Sequence, residues 1–141
     1  IVDIALRAIS PGINDPNTAI SCIHSSELLT GRLSTIEGNY QILTDDAGKA
    51  ETAEIILENY NFDRDLQTTF GQLVHYGKED LSIVLALLDA MAGAIIQSTP
   101  ANRDHLLNMA RYIADSCRPC FALPADQRRI EAHLQRIFRR S

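Results

Sequence analysis

Two short runs in this sequence hold residues whose types and spacing could do chemistry. The first is Ser-Pro-Gly-Ile-Asn-Asp-Pro, from Ser10 to Pro16, preceded by Asp3 and Arg7. If a helix starts at Asp15, its unpaired backbone N–H groups could hold an anion, and Arg7 would add a positive charge. Asp15 works against this, because an N-cap carboxylate accepts from the same donors. The competing reading is a rigid helix–loop–helix corner whose turn is set by the prolines and by a positive φ at Gly12. Capping physics favours that corner. Asp3, Arg7, Ser10, Gly12, Asn14 and Asp15 are the candidate ligand-binding residues.

The second run is Cys117-Arg-Pro-Cys120. Cys-x-x-Cys spacing suits dithiol chemistry at a helix N-terminus, or one half of a zinc site. Here it falls at the end of a helical pattern, where the negative pole of the dipole raises the first thiol's pKa. Cys117 and Cys120 could bind metal only if Cys22, His24, His105 or another ligand folded close by. Cys22 and Cys117 read better as small apolar packing residues. The four histidines, His24, His75, His105 and His133, show no metal-binding spacing, and neither a nucleophile elbow nor a phosphate loop is present. These residues give no positive reason to propose a cofactor or a catalytic role, although catalytic groups can converge from distant segments.

Charge is unevenly spread. Arg128, Arg129, Arg136, Arg139 and Arg140 stand against Asp126 and Glu131 near the C-terminus, in a chain of net charge -5. A solvated helix face is the simpler reading, with its last arginines favourably placed on the dipole. Contact with anionic lipid headgroups is the functional one. The acidic balance and the absence of Trp argue against nucleic acid, which wants a basic surface and stacking aromatics.

The elements that must position these residues follow from periodicity. With 141 residues, 45% hydrophobic and 22% charged, the chain can bury a core of its own as one soluble domain over 1–141. The first helix covers Ile1 to Ile9, with Asp3 and Arg7 as an i, i+4 pair, and stops before Pro11. The second opens at Asp15-Pro16 and aligns Cys22, Leu29, Leu33 and Ile36 on one face. Asn39 to Thr44 and Thr52 to Glu58 have strand composition around the turn signal Asp45-Asp46-Ala47-Gly48, although Ala50 to Leu57 could be helical. Leu66, Phe70, Leu73 and Val74 form the next stripe, stopped by Gly77. Asp80 caps a helix apolar nearly all round, hence central. At about 16 residues, Leu81 to Ile96 is shorter than the roughly 20 that a bilayer span needs. Thr99-Pro100 opens a helix carrying Leu106, Ala110, Ile113 and Cys117, closed by Pro119. The last runs from about Pro124 to Arg139 and buries Ile130, Leu134, Ile137 and Phe138. The expected fold is mainly α: about six helices in a bundle-like domain with one short β-hairpin near residues 39–58.

The run Ala5-Leu-Arg-Ala-Ile-Ser-Pro-Gly-Ile-Asn-Asp-Pro-Asn-Thr-Ala-Ile20 resembles the signature of a bacterial family of predicted membrane proteins, domain-of-unknown-function family 2254. Ile9 stands where members carry Leu, and Asn17 where an aromatic is usual. Beyond this run the resemblance is one of layout, through Tyr76-Gly77 and the helix containing Leu88-Asp89-Ala90. It implies transmembrane helices N-terminal to this region, and therefore the C-terminal part of an inner-membrane protein. Ile1 opens straight into helical sequence with no leader pattern, which fits a piece of a longer chain. The family supplies no activity to carry over.

Two functions fit. One is a non-catalytic cytosolic interaction or regulatory domain, expected to form homo-oligomers and to reach the membrane through the missing N-terminal part. The odd cysteine count and the arginine-rich end suggest the cytoplasmic side. The other is a small-ligand or anion-binding domain, with or without catalysis, using the Ser10–Pro16 corner with Asp3 and Arg7. It expects a concave pocket there with Arg7 pointing into it.

Overall fold

The computed structural model describes residues 1–36, 41–43, 55–57 and 61–140, the two short strands and Arg140 by backbone alone. Helices α1 (Val2–Ala8), α2 (Pro16–Leu33), α3 (Phe62–Gly77), α4 (Leu81–Ile95), α5 (Pro100–Cys117) and α6 (Pro124–Arg140) make up nearly all of it. A single 3-10 turn, Arg118–Cys120, links the last two.

Helices α2 to α5 each begin where a side chain takes over unpaired N–H groups. Asp15 accepts from Thr18 N, Asn61 from Arg64 N, Asp80 from Ser82 N and Ile83 N, and Thr99 from Asn102 N. Such caps each stabilise a helix start by about 1 kcal/mol. Pro16 and Pro100 occupy first-turn positions that need no N–H. Between α2 and α3, β1 (Gln41–Leu43) pairs antiparallel with β2 (Ile55–Leu57), Gln41 opposite Leu57 and Leu43 opposite Ile55. The Asp45 to Gly48 turn expected there lies outside the described residues.

Helix α4 is the centre. It packs against α2, α3, α5 and α6, and buries eleven of its fifteen residues. The stripe on α3, the Leu106–Cys117 face of α5, and Ile130 and Ile137 of α6 all enter one core with it. Leu134 and Phe138 of α6 are only half-buried, and Arg111 covers the Phe138 ring at 4.4 Å.

Helix α2 departs from the expected face. Its buried residues are Ala19, Ile23, Ser26, Thr30 and Gly31, whereas Leu29, Leu33 and Ile36 are exposed and Cys22 half-buried. The cause is the close crossing of α2 and α4. A Cβ on Gly31 would stand 3.8 Å from Ala94 Cα and 2.9 Å from Gln97 Nε2, and one on Gly93 would overlap the Glu27 carboxylate. Small residues win the interior place because they let two backbones approach, and the leucines are left outside.

Candidate functional site

The corner between α1 and α2 is built by backbone hydrogen bonds. Ser10 Oγ donates to Arg7 O at 2.7 Å, and Ile13 N and Asn14 N both donate to Ser10 O. Asp15 N then donates to Ala8 O at 2.8 Å, which folds the start of α2 back onto the end of α1. The residue that takes the left-handed conformation is Asn14, at φ 48°, and not Gly12. Asparagine tolerates that region better than other residues with a Cβ. The Asp15 carboxylate accepts from Thr18 Oγ1 at 2.6 Å and from Thr18 N at 3.2 Å. Those two bonds hold its pKa below the usual aspartate value. The start of α2 is thus filled by its own carboxylate, which disfavours an anion there.

The turn from α3 to α4 faces this corner. Asp80 N donates to Gly77 O, and Asp80 caps α4. A Cβ on Gly77 would lie 2.5 Å from Ile83 Cγ2, so this turn needs glycine for close packing. Between corner and turn lies an open cavity of about 570 Å³, with Pro11, Asn14 and Pro16 on one wall, Tyr76, Glu79 and Asp80 on the other, and Phe121 at its edge. A second hollow of about 400 Å³ adjoins it, lined by Leu6, Arg7, Ser10, Pro11 and Tyr76. Pro11 and Tyr76 belong to both.

Of the six residues singled out in the sequence, Asn14 lines the larger space, and Arg7 and Ser10 the smaller. Asp3, Gly12 and Asp15 line neither. Asp3 and Arg7, expected to pair, make no ion pair with each other among the described residues. Tyr76, Glu79, Asp80 and Phe121 were not singled out. Asp80 is legible as a cap, but nothing in local spacing brings residues 76–80 to residues 9–16.

The Cys-x-x-Cys residues separate. Cys117 is buried in the core and Cys120 exposed, and both thiols are free. The Cys117 thiol is pushed up to about 11, first by burial and then by the neighbouring Cys120, with Lys78 opposing. The shift has the direction expected from sequence, with burial as its leading cause. Among the described residues no three His, Cys, Asp or Glu side chains are placed to hold a metal ion.

On α6, Arg136 and His133 both reach Asp89 of α4, His133 at 3.7 Å. Arg118 bonds Glu131 at 3.1 Å. Part of the arginine-rich end is thus spent tying α6 to its neighbours, while Arg128, Arg129 and Arg139 are exposed. Nearby, burial raises the Glu27 pKa, His24 opposes that shift and Asp89 adds to it.

A third feature is an apolar face. Ile1 and Ile4 of the α1 end and Leu28 and Leu29 of α2 are all exposed, Leu28 to 67%. Ile1, Leu28 and Leu29 line one shallow hollow of about 400 Å³ with Ser25, Arg32 and Gln97. Among the described residues no helix is long and apolar enough to cross a membrane.

Comparison with known proteins adds a family. A family model described as predicted membrane protein (DUF2254) matches residues 1–93. An uncharacterized protein of Mycobacterium bovis and two of Mycobacterium tuberculosis are each 28% identical over 131 residues, which is 90% of this chain and 24% of theirs. The chain spans about a quarter of the length of these relatives. No solved structure matches.

Proposed function

This chain belongs to the DUF2254 family of predicted membrane proteins, and from that premise we propose that it is a non-catalytic interaction domain of a bacterial membrane protein, acting by self-association. The observation that carries the reading is the exposed face of Ile1, Leu28 and Leu29. Scattered surface leucines need no explanation, but adjacent ones around a shared hollow are the usual mark of a protein contact. The occupant is a second copy of this face, since a self-complementary patch closes into a two-fold dimer without further parts.

Light scattering across a concentration series tests it. The full chain should run as a defined dimer or larger closed assembly, and Leu28→Glu should shift it to monomer. A monomer at every concentration would overturn self-association and leave the rest of the longer parent protein as the partner of this face.

We place the domain on the cytoplasmic side, for its free cysteines and its arginine-rich end. Cys120, being exposed, reports this directly. A membrane-impermeant thiol reagent should label it in lysed but not in intact cells, and equal labelling in both would put the domain outside.

A second reading is a small-ligand site at the corner, favoured by the two joined spaces about Pro11 and Tyr76. Their volumes fall in the ordinary range for small-molecule pockets.

A further inference from the structure

We propose that the corner groove takes a small zwitterion, with its anionic end on Arg7, its ammonium end at Glu79 and Asp80, and its apolar body across Tyr76 and Pro11. This rests on the small-ligand reading of the corner and gives that reading a chemistry.

The two spaces differ in charge. The smaller one is lined by Arg7 and no other charged side chain, and the larger one by Glu79 and Asp80 with no cation, among the described residues. Tyr76, 66% exposed, stands between them with Pro11. Arg7 and Glu79 make no side-chain hydrogen bond or ion pair among the described residues, so both charges are available to a ligand. Asp80 directs all three of its bonds to the start of α4 through Oδ1, and its Oδ2 is uncommitted among the described residues.

The backbone donors that would otherwise compete for the anionic end are already occupied. Asp15 holds the start of α2 and Asp80 that of α4, so the positive pole of the groove is Arg7 alone. A guanidinium binds carboxylate or phosphate by paired charge-assisted hydrogen bonds. At the other pole an ammonium meets two carboxylates, and the aromatic faces of Tyr76 and Phe121 add cation–π attraction. A purely anionic ligand would be repelled at one end and a purely cationic one at the other. Charge of both signs on one small molecule satisfies both poles.

The test is an NMR titration of the ¹⁵N-labelled full chain with 4-aminobutanoate, its N-acetyl form and its amide form, following the amides of Gly12, Tyr76 and Gly77. The zwitterion should bind about tenfold more tightly than either blocked form. Arg7→Gln should reduce it to the level of the amide, and Glu79→Gln to the level of the N-acetyl form. Both residues are exposed, so these variants keep the fold, which their remaining amide shifts will report. Phosphoethanolamine in the same titration separates the two sources of such chemistry: tighter binding than 4-aminobutanoate points to a lipid-type headgroup, weaker binding to an amino acid. Equal affinity of the blocked and unblocked forms would overturn the zwitterion while leaving a ligand site. No shift with any probe would overturn the site itself.

Discussion

Truncating Ile23 to alanine is expected to cost about 2–5 kcal/mol of stability, whereas the same truncation at Leu29 should cost about 1 kcal/mol or less. Both residues lie on α2, six positions apart, and the sequence periodicity points to Leu29 as the one facing the core. Ile23 is 0% exposed and sits in the core cluster with α4, where the helices cross too closely to refill the cavity by a small shift. Leu29 is 49% exposed, so its truncation removes less buried surface and leaves no void. Urea unfolding at low protein concentration, where the proposed assembly is dissociated, would measure both midpoints. Equal losses would mean that α2 is turned about its axis from the orientation described.

Replacing Asn102 with aspartate is expected to cost about 2–4 kcal/mol at neutral pH. Asn102 is 8% exposed at the start of α5. Its Nδ2 donates to Ser34 O at 3.1 Å and Ile36 O at 2.9 Å, while Thr99 N donates to Ser34 O at 3.0 Å. These bonds close the end of α2 against the start of α5 across more than sixty residues of chain. A carboxylate there loses both donors and faces two carbonyl oxygens. Its protonated form can donate again, so the folded state raises its pKa above the unfolded value of about 3.9. The part of the penalty due to ionisation is then absent below that value and grows as pH rises through it to the folded pKa. The loss of one of the two amide donors remains at every pH. Unfolding of this variant and of the unmodified chain should differ least near pH 4 and most near pH 7. A difference independent of pH would mean that position 102 faces water.

The two outcomes bear on the functional readings. Orienting α2 by Ile23 is what puts Leu28 and Leu29 on the surface beside Ile1, and so creates the face assigned to self-association. The corner groove depends on a different junction, that of α1 and α2 with the turn between α3 and α4. A variant that dissolves the assembly, such as Leu28→Glu, should therefore leave the groove intact.

The sequence by itself determined the helices and most of their faces. Asp15, Asp80 and Thr99 mark helix starts because an oxygen acceptor next to a helical run has one strongly favoured use. The stripes on α3 and α5 and the all-round apolarity of α4 were legible because burial repeats with the helical period. The family was legible from one dense run. Tertiary structure alone decided which face of α2 turns inward, since periodicity rewards large apolar residues and cannot see that close approach at Gly31 and Gly93 favours small ones. It alone moved the left-handed residue from Gly12 to Asn14, because the hydrogen bond from Asp15 to Ala8 sets where the chain must reverse. It also set Tyr76, Glu79 and Asp80 opposite Pro11 and Asn14. Those residues lie more than sixty positions apart, and only the packing of α3 and α4 onto α1 and α2 makes them neighbours.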